Sequence, residues 1–416
     1  MNAPALTGSM ALRVFACFAG GYFMSYALRS VNAVIAPELV GEFGLSHAQL
    51  GSLSAAYFFG FAAMQLPLGI WLDRYGSRRT DANLLLVAAI GCVCFALAHN
   101  VAMLWLGRAL VGAGVGGALM SALKGYRFWY ASERQQQLAA WMLVVGTAGA
   151  LTSTVPVQAA LSLAGWRGVF WLAAGLMLVA STAIRVLVPR DEERAVHPPE
   201  PGSVWNGYRE VFCDPYFWRF GLTAVVIQGT FISMQSLWAG PWFTQVLGMS
   251  KELAAQALFA FNLALLFGYL GLGWLLPRLT GKGWSTLRII SISTTLVLAL
   301  QIAIALVDAR WAWVLWLPFA VVSTGYIIVQ PHVSLTFPPS LTGRAYTAFN
   351  LVIFVGIFAC QWLFGVAIDA FRALGDSEVA AFRHAMLVWV LIQALPFALL
   401  LAWRVEPRPA EARTPA

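Results

Sequence analysis

The chain has 416 residues, of which 60% are hydrophobic and only 11% are charged, and its net charge is +8. A soluble domain carries about 25% charged residues, so this composition excludes a protein whose whole surface faces water. The basic residues stand in loops between apolar runs, which indicates membrane topology and not nucleic-acid binding, so we expect no nucleic-acid partner.

Apolar runs follow one another along the whole chain, and each is long enough to cross a bilayer as a helix. The first run is too long for a cleaved signal peptide and has no clear cleavage site, so we expect it to be retained. The pattern predicts an all-α integral membrane protein with twelve transmembrane helices. The predicted spans are 11–37, 48–72, 82–98, 103–123, 138–160, 169–188, 217–243, 254–276, 287–307, 313–335, 345–370 and 384–403.

A hydrophilic stretch divides the chain into two halves. Residues 189–215 contain Asp-Glu-Glu-Arg and His-Pro-Pro-Glu-Pro-Gly, a composition typical of a linker. We therefore predict an N-terminal six-helix bundle over 1–188, a cytoplasmic linker over 189–215, and a C-terminal six-helix bundle with a short cytoplasmic tail over 216–416. Basic residues are concentrated in one of the two alternating sets of loops, which predicts that both termini are cytoplasmic.

The two halves share short motifs at one offset. Gly44-Leu45-Ser46 recurs as Gly248-Met249-Ser250, and Pro37 recurs as Pro241, each 204 positions later (248 − 44 and 241 − 37). Two repeated bundles around a site near the membrane midplane are an architecture typical of transporters.

The loop between the second and third predicted spans carries the pattern Gly69-x-x-x-Asp73-Arg74-x-Gly76-x-Arg78-Arg79. We expect Gly69 to let two helices approach closely. Asp73 could cap a helix or pair with an arginine, and such a pair could latch one conformation. The alternative is that the arginines only enforce topology. The pattern resembles the loop signature of the major facilitator superfamily at every defined position.

Two further stretches resemble the same superfamily. Arg108-Ala-Leu-Val-Gly112-Ala-Gly114 is similar to its fourth-span motif, and Gly165-Trp166-Arg167-x-x-Phe170 is similar to its entry to the sixth span. The resemblance implies twelve helices in two pseudo-symmetric six-helix bundles.

The first span resembles two families within this superfamily, the anion:cation symporters and the organophosphate:phosphate antiporters. Its pattern is Tyr26-x-x-Arg29-x-x-Asn32-x-x-x-x-Pro37-x-Leu39. In those families a first-helix arginine contacts an anionic group, and Arg29 matches it. Gln65 falls where the antiporters carry a second-helix lysine, and Ser233 stands at the repeat position of Arg29, where a seventh-helix arginine would be. These departures argue against a phosphate-ester substrate.

Polar residues inside spans mark the candidate site. An arginine near the bilayer centre costs about 2.5 to 3.5 kcal/mol on insertion scales, so it persists where it faces a cavity, pairs or snorkels. Arg108 lies near the outer end of its span, where snorkelling is the alternative. For the amides, bonding between helices is the alternative to ligand contact. The predicted substrate-binding residues are Tyr26, Arg29, Asn32, Gln65, Arg108, Gln228, Gln235, Trp238, Asn262, Tyr326, Asn350 and Gln361.

These features predict a secondary active transporter that moves a small organic anion by alternating access, as proton-coupled import. No carboxylate stands at a span centre, so coupling would fall to His332, Glu38 or Asp369, or to a protonated substrate. The alternatives are an exporter of drugs or metabolites, a carrier of a larger chelate such as a siderophore, and a non-transporting sensor of the same fold.

No enzyme is predicted. The histidines and cysteines are scattered without metal-ligand spacing or a catalytic order, so we expect no catalytic residue, no metal and no cofactor. The expected partners are a small-molecule substrate, protons and the lipid bilayer. We expect a monomeric, multi-pass protein of the bacterial inner (plasma) membrane.

Overall fold

The computed structural model describes residues 6, 8–131, 134–189 and 201–406, and these residues form helices and turns with no β-strand. Contacts divide the chain into two compact units. Unit 1 comprises Met1–Leu45 and Ser52–Pro198, and unit 2 comprises Ser46–Gly51 and Pro199–Ala416. The domain boundaries predicted from sequence, 1–188, 189–215 and 216–416, remain a prediction.

Unit 1 is built from seven helices of the described residues. Its helices are α1 Gly8–Ser30, α2 Asn32–Phe43, α3 His47–Ala96, α4 Val101–Val115, α5 Ala118–Trp129, α6 Gln135–Thr152 and α7 Val155–Leu187. Two of them bend sharply at a glycine with positive φ, α3 at Gly76 (φ 75°) and α7 at Gly165 (φ 64°). Each glycine permits a left-handed backbone that other residues rarely adopt, and it divides its helix into two legs.

Unit 2 begins with a helix inside the stretch predicted as a linker. Its helices are α8 Pro201–Phe212, α9 Pro215–Ser233, α10 Ala239–Pro241, α11 Lys251–Gly281, α12 Thr286–Leu306, α13 Trp316–Ser323, α14 Val329–Ser334, α15 Pro339–Ala373 and α16 Glu378–Ala402. Two π-helical segments, Met234–Trp238 and Trp242–Val246, flank α10, and 3-10 turns at Arg310–Leu315 and Thr324–Ile328 flank α13.

The prediction of twelve spans is confirmed. Ten helical stretches of the described residues are long and apolar enough to cross a membrane. The first leg of α3, residues 47–75, and the shorter apolar helix Gln137–Thr152 supply the other two. The protein is therefore a multi-pass, all-α membrane protein.

Five of the predicted spans are interrupted within the membrane-length run. The first breaks at Val31, between α1 and α2, and the fourth breaks at Gly116-Gly117, between α4 and α5. The fifth breaks at Ser153-Thr154, and the seventh and tenth contain the π and 3-10 segments. Val31, Gly116 and Gly117 keep right-handed helical dihedrals, so only the regular hydrogen-bond pattern changes there, whereas Thr154 leaves the helical region (φ −103°, ψ −107°). Four of these five spans carry sequence-predicted site residues, the fifth span being the exception.

The repeated motif has the same conformation in both halves. Gly44 has φ 61° and Gly248 has φ 63°, so each ends a helix in the left-handed region. The hydroxyls of Ser46 and Ser250 then accept a backbone N–H three residues on, both at 3.3 Å. The repeat seen in the sequence is therefore a repeat of structure.

Candidate functional site

The buried ring of Tyr57 is the centre of the polar interior of unit 1. Its side chain is 1% exposed, and its hydroxyl donates to the carbonyl of Ser25 at 2.9 Å. The guanidinium of Arg108 lies over the ring, 5.2 Å from the centroid. Arg29 lies one helical turn after Ser25 on α1, the residue whose carbonyl accepts this hydroxyl.

Arg108 is fully buried, with 0% exposure. Its Nη1 donates to the carbonyl of Leu28 at 2.8 Å, and its Nε has no hydrogen-bond partner within the described residues. The snorkelling alternative is wrong for this residue, because the helix starts at Val101 and places residue 108 two turns inside. Its side chain points into unit 1 and not to the surface.

The glycines around Arg108 explain why it can sit so deep. A Cβ on Gly112 would meet the carbonyl oxygen of Tyr57 at 1.8 Å, and one on Gly60 would meet that of Ala109 at 1.9 Å. The backbones of α3 and α4 are therefore in direct contact, as small residues permit in membrane helix pairs. This contact brings the ring of Tyr57 and the guanidinium of Arg108 together.

Arg29 lies at the C-terminal end of α1, two residues before the break at Val31. Its guanidinium stacks on the ring of Tyr26, 3.9 Å from the centroid. Tyr26 in turn accepts a hydrogen bond from the hydroxyl of Tyr22 at 3.2 Å. Both Arg29 and Tyr26 are partly exposed. Arg29 and Tyr26 therefore share one face of α1.

The two predicted amides of unit 1 bond to their own unit. Asn32 is fully buried, and its Nδ2 donates to Ser54 Oγ at 2.6 Å. Gln65 Nε2 lies 3.5 Å from the carbonyl of Gly116, at the break between α4 and α5. Gln65 therefore bonds to a backbone carbonyl at the junction of α4 and α5, which is a structural role.

In unit 2 the predicted amides bond mainly to one another and to backbone. Gln235 Nε2 donates to Asn262 Oδ1 at 2.9 Å, and Asn262 Nδ2 donates to the carbonyl of Leu258 at 2.9 Å. Gln228 Nε2 donates to the carbonyl of Tyr326 at 3.3 Å. Asn350 lies on α15 and is partly exposed.

Gln361 is bonded from two sides. Its carbonyl accepts the indole N–H of Trp238 at 3.1 Å, and its Oε1 accepts the hydroxyl of Ser236 at 3.1 Å. Its Nε2 is buried and has no hydrogen-bond partner among the described residues. Trp238 and Tyr326 are 0% and 1% exposed, so both rings pack inside unit 2.

The superfamily loop motif is partly explained by local structure. Gly76 supplies the left-handed turn between the two legs of α3. Arg78 donates to the carbonyl of Arg185, which holds the loop against the end of α7, while Arg74 is exposed beside the ring of Tyr75. Arg79 is exposed as well. The side chain of Asp73 lies outside the described residues, so the latch remains a prediction.

The interpretation of Gly69 is wrong. A Cβ at Gly69 would meet nothing within 4 Å, and the residue is exposed. The glycines that permit close helix contact are instead Gly112 and Gly114, where a Cβ on the latter would meet the backbone nitrogen of Ala88 at 2.3 Å.

The candidate proton carriers His332, Asp369 and Glu38 lie on three different helices, α14, α15 and α2. His332 Nε2 lies 2.9 Å from the hydroxyl of Tyr216. Asp369 contacts the start of α3, and Glu38 is partly exposed on α2. No group of three or more His, Cys, Asp or Glu side chains in the described ranges is placed to hold a metal ion.

Sequence reasoning missed Tyr57 and Ser25. Both look like ordinary residues of an apolar span, and the Tyr57 hydroxyl lies 3.1 Å from Ser25 Oγ only after α1 and α3 have packed. The available signal was the periodicity of α1, since Ser25 and Arg29 are four residues apart and share one face.

Comparison with known proteins gives relatives with transport-related names. The chain is 32% identical over 151 residues to a probable sulfoacetate transporter of Cupriavidus necator, which covers 36% of this chain and 35% of that protein. It is 27% identical over 269 residues to a probable nitrate/nitrite antiporter of Thermus thermophilus, covering 61% and 59% of the two chains. These matches therefore span about a third and three-fifths of the relatives' lengths.

The fold has a solved counterpart. A bacterial homologue of the human lysosomal transporter Spinster superposes with a TM-score of 0.79 at 18% identity, covering 97% of this chain and 100% of that one. A sequence profile of the Major Facilitator Superfamily matches residues 18–360. With this match over most of its length and the twelve spans described above, the protein belongs to the Major Facilitator Superfamily.

Proposed function

We propose that this protein is a secondary active transporter that imports a small organic anion together with protons. The proposed location is the bacterial inner membrane, with both termini cytoplasmic. The observation that carries the proposal is the fully buried guanidinium of Arg108 over the ring of Tyr57, with Arg29 one turn after Ser25, whose carbonyl accepts the Tyr57 hydroxyl.

The electrostatics of Arg108 favour an anionic ligand. The described contacts of its guanidinium are with the ring of Tyr57 and the carbonyl of Leu28, and neither is a carboxylate. A buried charge is costly unless an opposite charge balances it. A guanidinium binds carboxylate and sulfonate-like oxygens through paired N–H donors. An anion beside Arg108 would therefore supply the missing charge.

The names of the relatives favour the same class. Sulfoacetate and nitrate are both small anions, and sulfoacetate is organic. Arg29 also matches the first-helix arginine that the sequence resemblance assigns to anion contact. We therefore infer a carboxylate or sulfonate of a few carbon atoms as the substrate class.

The binding test measures thermal stabilisation of the purified protein. A ligand that binds the folded state raises its apparent stability by mass action. The panel contains sulfoacetate, nitrate, small carboxylates, and neutral and cationic compounds of similar size. We expect anions to stabilise the wild type and to lose this effect in Arg29→Gln.

Arg219→Gln is the matched control. Arg219 donates to the backbone carbonyl of Val405 at 2.9 Å and lies over the ring of Phe220, but it is in unit 2, outside the candidate site. We expect this variant to respond to anions as the wild type does. Stabilisation by cationic or apolar compounds alone, equal in all three proteins, would exclude the anion proposal and favour an exporter or a chelate carrier.

The transport test uses proteoliposomes loaded with buffer and an imposed pH gradient. We expect uptake of the stabilising anion to increase when the outside is more acidic and to collapse with a protonophore. If uptake does not change with the pH gradient, only the proton-coupling part of the proposal is contradicted, and anion transport is not. Binding without any flux in either direction would favour the sensor alternative.

A further inference from the structure

The first turn of α3 packs with a different unit from the rest of its helix. Residues Ser46–Gly51 belong to unit 2 by their contacts, whereas the chain from Ser52 onward belongs to unit 1. A helix is stiff over this length, because each turn is held by backbone hydrogen bonds. A change in the contacts of Ser46–Gly51 therefore acts directly on the rest of α3.

A carboxylate holds this turn by its backbone. Asp369, at the end of α15, accepts the backbone N–H of His47 at 3.1 Å and that of Ala48 at 2.8 Å. The two bonds use different carboxylate oxygens. The first N–H groups of a helix have no partner inside it, and a carboxylate there is favoured by charge as well as by hydrogen bonding.

Two glycines allow the turn to touch α15 backbone to backbone. A Cβ on Gly365 would meet the carbonyl oxygen of His47 at 2.2 Å, and one on Gly51 would meet that of Gln361 at 2.7 Å. Contacts this short leave no room for a side chain. The turn is therefore seated on α15 at both of its ends.

The imidazole of His47 lies between two carboxylates. Its Nδ1 is 2.8 Å from Asp369 Oδ1, and its Nε2 is 2.7 Å from Glu378 Oε1 at the start of α16. Arg372 Nε lies 3.2 Å from the other oxygen of Glu378. The ring of Phe382 packs edge-on against the imidazole at 5.4 Å. On its own turn, His47 has only neutral polar neighbours, Ser46 and Gln49.

The other charged groups at this end of α15 and α16 pair among themselves. His384 Nδ1 lies 2.6 Å from Asp376 Oδ2, and Arg383 donates to Asp308 at 2.8 Å. Within the described residues, the charges that face His47 are therefore Asp369 and Glu378 directly, and Arg372 through Glu378.

This geometry requires one proton beyond those of a neutral imidazole and two carboxylates. A neutral imidazole has one N–H, so its second nitrogen would turn a lone pair toward a carboxylate oxygen. Asp369 already accepts two backbone N–H groups, and an imidazole is by its ordinary pKa a stronger base than a carboxylate. The extra proton is thus on the imidazole, and two positive charges then balance two negative charges.

We propose that His47, Asp369 and Glu378 form a proton-binding site, and that the bound proton keeps Ser46–Gly51 seated on α15. Loss of the proton leaves a lone pair facing a carboxylate and a net negative charge, so the turn separates from α15 as pH rises. The site links proton binding to the packing of the first turn of α3 on α15. This proposal goes beyond the proposed function, because the proton-binding site would act in the same way for any transported solute.

The test is hydrogen exchange measured by mass spectrometry on the detergent-solubilised full chain. The amides of His47 and Ala48 donate to Asp369, so their protection reports the seating directly. We measure the peptide covering 44–53 from about pH 5 to about pH 8, the range in which histidine changes charge, with each rate corrected for intrinsic exchange. We expect protection to fall about tenfold across this range, the usual worth of a hydrogen bond to a charged group.

The chain supplies its own internal control. Ser250 begins α11 with the same serine cap, and Lys251 stands at the repeat position of His47, but no carboxylate from another helix caps this turn among the described contacts. Protection of a peptide covering 248–257 should stay constant with pH. An equal fall in both peptides would overturn the proposal, because it would report general loosening.

Three variants complete the test. His47→Gln cannot gain the charge, so its protection should no longer depend on pH. Gly365→Ala should lower protection at every pH, whereas Gly273→Ala, where a Cβ would meet nothing within 4 Å, should match the wild type. A flat wild-type profile, a pH-dependent fall in His47→Gln, or full protection in Gly365→Ala would each overturn the proposal.

Discussion

The two units treat polar residues inside their spans in different ways. Unit 1 buries a charged group, Arg108, against a tyrosine ring and one carbonyl. Unit 2 buries neutral amides that bond to one another, such as Gln235 with Asn262 at 2.9 Å. A guanidinium has more donors than one carbonyl can satisfy, whereas two amides can satisfy each other. Unit 1 therefore has guanidinium donors left for an anion, while the pair Gln235–Asn262 of unit 2 satisfies itself and Gln361 Nε2 remains without a partner among the described residues.

The largest effect is expected for Arg108→Leu. The variant removes a buried charge with no carboxylate partner among its described contacts, so the unliganded protein should be as stable as the wild type or more stable. Binding of the stabilising anion should weaken by about 2 to 5 kcal/mol, the usual cost of truncating one partner of a buried charge pair. Calorimetric titration and thermal unfolding with and without anion measure the two quantities.

The opposite result for Arg108→Leu would contradict the comparison between the buried charge of unit 1 and the paired amides of unit 2. If Arg108→Leu unfolds at a much lower temperature yet binds the anion with unchanged affinity, then Arg108 is a structural residue. The charge difference between the two units would then have no bearing on the substrate.

A smaller effect is expected in unit 2 for Gln235→Leu. The change leaves Asn262 Oδ1 buried without its donor, which should cost about 1 to 3 kcal/mol of unfolding free energy. Adding Asn262→Leu should recover part of this loss, because both polar partners are then gone. A double-mutant cycle on thermal stability measures the coupling. Additive losses would show that the pair does not act as a unit and that unit 2 is not self-satisfied.

The fold was predictable from the sequence because a bilayer forces apolar runs to become helices. The repeat at Gly44 and Gly248 was also predictable, since a left-handed glycine followed by a serine cap is a local signal. The junction at Val31 was not, because no glycine or proline marks it, whereas Pro156 stands two residues after the break at Ser153-Thr154. Helix packing determines such interruptions, and packing is not encoded in local propensity.

The candidate site was predictable only one residue at a time. Arg29 and Arg108 stood out because charge inside a span is costly. Tyr57, which lies under the guanidinium of Arg108, did not, since a tyrosine in an apolar run is ordinary. Gln301 and Gln393 had no evident role in the sequence, yet Gln393 Nε2 donates to Gln301 Oε1 at 2.6 Å across 92 residues. Only the folded structure shows that this pair joins α12 to α16.

The smallest effects are expected at surface ion pairs, one in each unit. Arg167 Nη2 lies 2.6 Å from Glu42 Oε1 in unit 1, and Arg383 Nη2 lies 2.8 Å from Asp308 Oδ1 in unit 2. Exposed pairs of this kind contribute about 0 to 1 kcal/mol. Glu42→Gln and Asp308→Asn should therefore lower the unfolding temperature slightly and by similar amounts. A large loss at one pair alone would show that the charge difference between the units extends to their surfaces.

The pH dependence of the Glu42 pair has a definite sign. The hydrogen bond from Arg167 lowers the pKa of Glu42, so folding favours the ionised carboxylate. Its contribution to stability is present above the pKa of the unfolded chain and is lost as pH falls through the lower pKa of the folded protein. The difference between wild type and Glu42→Gln should thus be constant near neutral pH and shrink in acid. If the difference instead grows in acid, then the ion pair with Arg167 is not what lowers the pKa of Glu42.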